Sequence, residues 1–133
     1  MKSDSSKTIL LIEDERDISL LAQYTLESAG YRVLAASNGR EGLELVKNNG
    51  VIRLIILDIM MPVMDGYQVL DRLKSDPAVK EIPVLVFSAM AQGKDVEKGF
   101  EHGAAGYITK PFEADRMLRE VSRFLSPNGE PEK

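Results

Sequence analysis

The 133-residue chain has no cysteine and no tryptophan, and its one histidine is His102. Without cysteine there are no disulfides and no thiolate metal sites, and a single histidine does not make a zinc site. No stretch approaches the roughly 20 apolar residues that cross a membrane, and the first residues, MKSDSSK, lack the apolar run of a signal peptide. We therefore predict a cytoplasmic protein with no membrane contact.

The composition, 44% hydrophobic and 29% charged, is typical of one globular domain. A net charge of -4 argues against nucleic acid as a direct partner of this chain. Polar sequence at both ends predicts a disordered tail over 1–7 and a disordered tail or interdomain linker over 127–133. The domain itself is predicted to span 8–126.

Short apolar, β-branched runs alternate along this domain with segments of helical spacing. The runs predict five strands, at Thr8–Ile12, Arg32–Ala35, Leu54–Leu57, Val84–Phe87 and Tyr107–Ile108. Five helices are predicted between and after them from apolar positions: Ile18, Leu21, Ala22, Thr25, Leu26 and Ala29; Leu43 and Val46; Val69, Leu70 and Leu73; Val96 and Phe100; and Leu118, Val121 and Leu125. Asn38 and Glu41 are a typical capping pair for the second helix, and His102 is predicted to face solvent at a helix end. This alternation predicts an α/β protein, a three-layer α/β/α sandwich around a parallel sheet.

Polar residues follow the predicted strands directly: Glu13 and Asp14, then Asp58, then Ser88, then Thr109, Lys110 and Pro111. Each has an ordinary structural explanation as a helix-start acid, a loop cap, a turn residue or a surface charge. Ligands of such folds, however, bind at the carboxyl ends of the strands. With a strand order of 2-1-3-4-5, three carboxylates, a hydroxyl and an ammonium would share one pocket.

Three crowded carboxylates repel one another unless a cation lies among them. Mg²⁺ prefers oxygen ligands and suits such a pocket. A metal, a lysine and a hydroxyl around one carboxylate are the groups needed for phosphoryl transfer to that carboxylate. With that strand order, these residues therefore indicate phosphoryl transfer to an aspartate.

Four segments occur in order and at suitable intervals: LLIEDE, LIILDIMMPVMDG, VLVFSAMA and GAAGYITKPF. Together they resemble the receiver domain of bacterial two-component response regulators, over roughly residues 7 to 126. The resemblance implies the flavodoxin-like fold, with five parallel strands in the order 2-1-3-4-5 and five helices.

The resemblance also implies a role for each acidic residue of the pocket. Asp58 would be the phosphoacceptor, taking the phosphoryl group from a phosphohistidine. Glu13, Asp14 and Asp58 would hold Mg²⁺, or Mn²⁺ as a substitute, together with the backbone carbonyl of Met60.

On the other side of the pocket the resemblance implies three switch residues. Lys110 would pair with Asp58 before phosphorylation and with a phosphoryl oxygen afterwards. Ser88 would donate its hydroxyl to another phosphoryl oxygen, and Tyr107 would turn inward behind it. The Lys110–Pro111 peptide bond is expected to be cis, as in relatives.

The implied function is a signalling switch, not a turnover enzyme, although the protein would take part in its own phosphorylation and slow dephosphorylation. The donor would be a sensor histidine kinase or a histidine phosphotransfer protein. An unidentified output protein or domain would contact the surface of helix 4, strand 5 and helix 5. The fifth helix does not closely resemble that of dimerising winged-helix regulators, so we expect a monomer.

Two methionines are predicted to tune the lifetime of the phosphorylated state. Met60 lies two residues beyond Asp58, and Met90 lies two residues beyond Ser88. Both would flank the path of a water that attacks phosphorus. Methionine offers that water no hydrogen bond, so the predicted effect is slow loss of the phosphoryl group. The alternative is that both side chains simply pack in a methionine-rich loop.

Two other kinds of protein share the chemistry or the topology predicted for this chain. A phosphatase or phosphotransferase of the haloacid-dehalogenase type also uses an aspartyl phosphate, but it needs a second acid where this chain has Met60. A flavodoxin-like electron carrier would need a phosphate-binding loop rich in glycine and hydroxyl groups where this chain has Glu13, Asp14 and Glu15. The chain is either a stand-alone regulator or a receiver from a longer protein.

Overall fold

The computed structural model describes residues 8–90 and 92–125. The predictions for 1–7 and 127–133 lie outside the described residues. The element order is β1(Thr8–Ile12), α1(Arg16–Ser28), β2(Arg32–Ala36), α2(Gly39–Asn48), β3(Ile52–Asp58), α3(Gly66–Ser75), β4(Val84–Ser88), α4(Gly93–Glu101), β5(Gly106–Thr109) and α5(Ala114–Ser122). Among the described residues, none of these helices combines the length and the apolar character that a membrane span requires.

The five strands form one parallel sheet in the order β2-β1-β3-β4-β5, which confirms the predicted fold. In the register, Ile12 lies beside Leu57, and Asp58 lies beside Phe87. The carboxyl ends of β1, β3 and β4 therefore lie side by side at one edge of the sheet.

Side chains from alternate strand positions enter two separate hydrophobic clusters, one on each face of the sheet. Leu10 of β1 and Ile55 of β3 belong to the cluster that α2 and α3 cover. Ile9 and Ile56 belong to the cluster that α1 and α5 cover. Because both faces are covered, these strands are apolar at consecutive positions, over 9–12 in β1 and 54–57 in β3.

Side-chain caps fix the starts of two helices on the first of these faces. Asn38 accepts a hydrogen bond from the amide of Glu41 at 2.8 Å, which confirms the predicted cap of α2. The second cap, the capping box of α3, was not predicted from the sequence. Asp65 accepts from the amide of Gln68, and the Gln68 side chain accepts from the amide of Asp65, both at 3.0 Å. This box fixes where α3 begins, at Gly66, eight residues beyond Asp58.

Three details of the helix predictions are wrong. Leu21 and Phe100 were assigned to buried stripes, but they are 57% and 47% exposed. Ser19 and Gly99 are the buried residues near these positions, because each helix is rotated toward its smaller side chains. In α5 the prediction missed Met117, which is fully buried.

Candidate functional site

The sheet register brings two acidic side chains together at the carboxyl edge. Glu13 directly follows Ile12, and Asp58 directly follows Leu57, the residue beside Ile12. The amide of Glu13 donates to the carbonyl of Ala36 at 3.0 Å, which continues the pairing past the end of β1. Both side chains are buried, with Glu13 1% and Asp58 2% exposed.

Asp14 completes a cluster of three carboxylates. Ligand oxygens of Glu13, Asp14 and Asp58 all lie within 4.8 Å of one another. One oxygen of Asp14, Oδ1, is buried and has no hydrogen-bond partner among the described residues. An all-oxygen donor set with an unsatisfied buried oxygen fits a hard divalent cation such as Mg²⁺. These three residues are therefore suited to hold the ion that the sequence implied.

Lys110 supplies the positive charge of the cluster. Its Nζ atom lies 2.7 Å from Oε1 of Glu13 and 3.2 Å from Oδ2 of Asp58. It also lies 4.9 Å from the centre of the Phe87 ring. Burial disfavours the charged lysine, but the bonds to Glu13 and Asp58 outweigh burial and raise the pKa of Lys110. The peptide bond from Lys110 to Pro111 is cis.

The carboxyl group of Asp58 has an unusual affinity for a proton. Burial, followed by the negative charge of Glu13, raises the pKa of Asp58 from 3.8 to about 7. Lys110 and the amide of Met60, which donates to Oδ1 at 3.0 Å, act in the opposite direction. Without a further cation the pocket therefore carries more negative charge than Lys110 neutralises.

Ser88 and Tyr107 are linked through the backbone of Met90. The amide of Met90 donates to the hydroxyl of Ser88 at 3.0 Å, and the hydroxyl of Tyr107 donates to the carbonyl of Met90. Ser88 is fully buried at the end of β4, and Tyr107 lies in the cluster between the sheet and α4. The backbone of Met90, just after β4, is thus hydrogen-bonded both to Ser88 and to Tyr107.

The side chain of Met60 lies away from the carboxylate cluster. Its amide contacts Asp58, but its side chain is 61% exposed and lines a cavity of about 480 Å³ with Tyr67 and Lys98. The metal-binding role of the Met60 carbonyl stays a prediction.

One polar contact between helices was missed from the sequence. His102, predicted to face solvent, has its Nδ1 atom 2.6 Å from Oδ1 of Asp71. The two residues are 31 positions apart and on different helices, so no local sequence pattern signals this pair.

Comparison with known proteins agrees with this geometry. Residues 9–122 match the family model described as the response regulator receiver domain. The chain is 42% identical over 117 residues to the DNA-binding dual master transcriptional regulator RpaA of Synechocystis, covering 88% of this chain and 48% of that protein. It is 37% identical over 120 residues to the alkaline phosphatase synthesis transcriptional regulatory protein PhoP of Bacillus subtilis, covering 90% and 49%. The chain thus spans about half the length of these relatives.

Solved structures give the same result. A putative response regulator from Chloroflexus aurantiacus aligns with a TM-score of 0.84 and 31% identity, over 88% of this chain and 95% of that one. The chemotaxis response regulator CheY4 of Vibrio cholerae aligns with a TM-score of 0.82 and 29% identity, over 87% and 96%. With the strand order, the acidic cluster and the family match in agreement, the chain belongs to the response regulator receiver domain family of two-component signalling.

Proposed function

We propose that Asp58 accepts a phosphoryl group from the phosphohistidine of a sensor histidine kinase or of a histidine phosphotransfer protein. The observation that carries this proposal is a buried carboxylate at the end of β3, within 3.2 Å of a lysine and inside a cluster of acids. This transfer would change the state of the protein itself, so we propose that the chain acts as a cytoplasmic switch and not as a turnover enzyme.

The reaction requires an ionised Asp58. One of its carboxylate oxygens attacks phosphorus, a P–O bond forms, and the P–N bond to the donor imidazole breaks. The imidazole leaves with the bonding electron pair. Glu13, Asp14 and Asp58, with the Met60 carbonyl as a further ligand, would hold Mg²⁺, which when bound offsets the charge of the carboxylates and of the phosphoryl oxygens.

Lys110 and Ser88 are the side chains suited to the remaining phosphoryl oxygens. Lys110 already lies beside Asp58, and its raised pKa keeps it charged at neutral pH. The Ser88 hydroxyl accepts from the amide of Met90, and its own O–H is the group that would donate to a phosphoryl oxygen. A phosphoryl group adds a charge of about -1.5 to -2 and three acceptor oxygens, which favours both contacts.

The same contacts would connect phosphorylation of Asp58 to the surface formed by α4, β5 and α5. Movement of Ser88 toward the phosphoryl group would pull on the Met90 amide, and the Met90 carbonyl is the acceptor of Tyr107. Tyr107 is already buried, with its hydroxyl bonded to that carbonyl, so its ring would move together with this segment. We propose that an output partner recognises the resulting surface, and that phosphorylation shifts an existing equilibrium between two conformers.

Phosphorylation with a small donor tests the proposal. The purified chain is incubated with Mg²⁺ and acetyl phosphate and then measured by intact mass. We expect one phosphoryl adduct that hydroxylamine removes, as it does for acyl phosphates, and no adduct in Asp58→Asn. The exposed aspartate of α1 provides the control, since Asp17→Asn should behave as wild type. An adduct that persists in Asp58→Asn, or none in wild type with either acetyl phosphate or a phosphohistidine donor, contradicts the proposal.

A second experiment separates phosphorylation from the conformational response. Lys110→Ala keeps the nucleophile and the acidic cluster, so we expect slower but measurable phosphorylation. The amide resonances of α4 should then shift less on phosphorylation than in wild type, because the charge link from Asp58 to the end of β5 is gone. Lys94→Ala, on the exposed side of α4, is the control. Full-size shifts in Lys110→Ala refute the switch role.

A further inference from the structure

The helix α4 is held to the hydrophobic core by few side chains. Of its nine residues, all of them described, Gly99 alone is buried. Val96 is partly buried against the core, and Phe100 is about half exposed. The ring of Tyr107 lies against Gly99, where an added Cβ would be only 3.4 Å from Cε2 of the ring. Apolar burial therefore contributes little to the position of this helix.

Contacts with α3 hold the helix instead. The Nζ atom of Lys98 lies 4.3 Å from the centre of the Tyr67 ring, a cation–π distance. The ring of His102 lies 4.9 Å from the same ring, centre to centre. His102 also lies 2.6 Å from the carboxylate of Asp71. We call Tyr67, Asp71, Lys98 and His102 the α3–α4 cluster.

The α3–α4 cluster is connected to the phosphoacceptor loop by the start of α3. The amide of Gly66 donates to the carbonyl of Ile59 at 2.8 Å. A Cβ added at Gly66 would lie 2.6 Å from the carbonyl oxygen of Asp58, so the two backbones are in tight contact. Tyr67 is the next residue, and it lines the cavity of about 480 Å³ between the Asp58 loop and Lys98. The cluster thus lies between Asp58 and α4.

The hydroxyl of Tyr67 makes this arrangement costly. It is buried, and it has no hydrogen-bond partner among the described residues. Burial raises the pKa of Tyr67, so at neutral pH the group remains an O–H donor that needs an acceptor. A buried donor without a partner destabilises the conformation that contains it. A conformation in which this hydroxyl reaches an acceptor or water gains that interaction.

We propose that the α3–α4 cluster restrains α4 in the unphosphorylated conformer and that phosphorylation of Asp58 must act against it. The aromatic and charged contacts stabilise the restrained conformer, while the unpaired Tyr67 hydroxyl limits that stabilisation. The cluster therefore sets the fraction of molecules that are in the responsive conformer before phosphorylation. This inference rests on the proposed function only for its second part, the coupling to Asp58.

Variants of opposite expected effect test the inference. His102→Ala and Asp71→Ala remove the polar contact between these two side chains, so amide hydrogen exchange in α4 should become faster and phosphorylation by acetyl phosphate should speed up a few-fold. Tyr67→Phe keeps the ring contacts and removes the unpaired hydroxyl, so both rates should decrease. The double variant His102→Ala, Asp71→Ala should differ little from His102→Ala, because Asp71 acts through its contact with His102.

Glu97→Ala is the matched control, an exposed position on the same helix where both rates should stay at the wild-type value. Exchange in α4 that is equal in His102→Ala, Asp71→Ala and Glu97→Ala overturns the restraint. Faster exchange with unchanged phosphorylation overturns the coupling alone. If the wild type accepts no phosphoryl group, the proposed function and the coupling both fail, and hydrogen exchange still decides whether the cluster restrains α4.

Discussion

The interior of β1 and β3 contrasts with the carboxyl ends of the same two strands. Ile12 and Leu57 are fully buried hydrophobic residues, and the next residue of each chain segment, Glu13 or Asp58, is a buried acid. Burial of a large aliphatic side chain stabilises the fold by about 1.5–3 kcal/mol. Burial of an ionised carboxylate costs free energy unless it is paired. From one residue to the next, therefore, each of the two chain segments changes from a side chain that stabilises the fold to a side chain that destabilises it.

This difference shows why the acids lie where they do. The carboxylates at the sheet edge keep only Lys110 as a close cationic partner among the described residues. Such a pocket is poorly satisfied by the protein alone and is stabilised most by a cation. The hydrophobic interior directly behind it provides the stability that the pocket lacks, and it keeps the edge rigid.

The largest expected effect comes from the interior. Ile56→Ala should lower the free energy of unfolding by about 2–5 kcal/mol, since it leaves a cavity beneath α1 and α5. Leu21→Ala, at the exposed position that the sequence pattern placed in the core, should change it by less than about 0.5 kcal/mol. Urea denaturation measures both. Similar losses in the two variants contradict the description of the core.

At the carboxyl edge, removal of a buried acid should raise the free energy of unfolding instead of lowering it. The pH dependence of stability should reveal this effect. The pKa of Asp58 is raised from 3.8 to about 7, so between these values the folded state binds a proton that the unfolded state has lost. In EDTA, which keeps metals away, the free energy of unfolding should therefore fall as the pH rises from about 4 through 7. The raised pKa of Lys110 adds no slope here, because that group is protonated in both states over this range.

Asp58→Asn removes the titrating group. Thermal denaturation in EDTA should then depend less on pH between 5 and 8, and the variant should be more stable than wild type at pH 8. Glu44→Gln, at an exposed position of α2, should retain the wild-type dependence. A wild-type protein whose stability rises with pH across this window contradicts the assigned electrostatics of the pocket.

A smaller effect is expected at Asp14. Asp14→Asn removes one of three crowded carboxylates, so Mg²⁺ affinity by calorimetry should fall about tenfold or more. The metal-free variant should be at least as stable as wild type, because repulsion among the acids is reduced. Asp17→Asn provides the control, three residues further along the chain and exposed. Unchanged Mg²⁺ affinity in Asp14→Asn shows that the assigned cluster does not bind the metal.

The strand interiors and the acidic edge could be predicted from the sequence for the same reason. Parallel strands covered on both faces are apolar at consecutive positions, so the first polar residue, such as Asp58, marks where the sheet ends. Topology then brings the ends of neighbouring strands together without any detail of side-chain packing. The α/β fold follows from this pattern, and the acidic cluster follows once the strand order that the family resemblance implies is added.

The remaining features depend on how elements rotate and on which rotamers they adopt. A stripe of apolar residues does not fix the rotation of a helix when glycine or serine is the better fit, as at Gly99 and Ser19. Lys110 lies closer to Glu13 than to Asp58, and this difference depends on the rotamer that the lysine side chain adopts. The pair of His102 with Asp71 requires two helices to be placed correctly first. These features follow from tertiary packing and not from local sequence.

The smallest expected effect concerns two methionines at the carboxyl edge, the exposed Met60 and the partly buried Met90. We predict that their side chains slow hydrolysis of the phosphorylated state, because neither can orient a water for attack on phosphorus, and positioning supplies much of the rate in phosphoryl transfer. Met60 is 61% exposed two residues beyond Asp58, so its substitution should not disturb the core. The double variant Met60→Asn, Met90→Glu should lose its phosphoryl group several-fold faster, measured by intact mass after the donor is removed. Met64→Asn, a partly buried position in the same loop, controls for a general loss of packing. A wild-type phosphoryl group that is lost within seconds, or a double variant no faster than Met64→Asn, assigns the two methionines to packing alone.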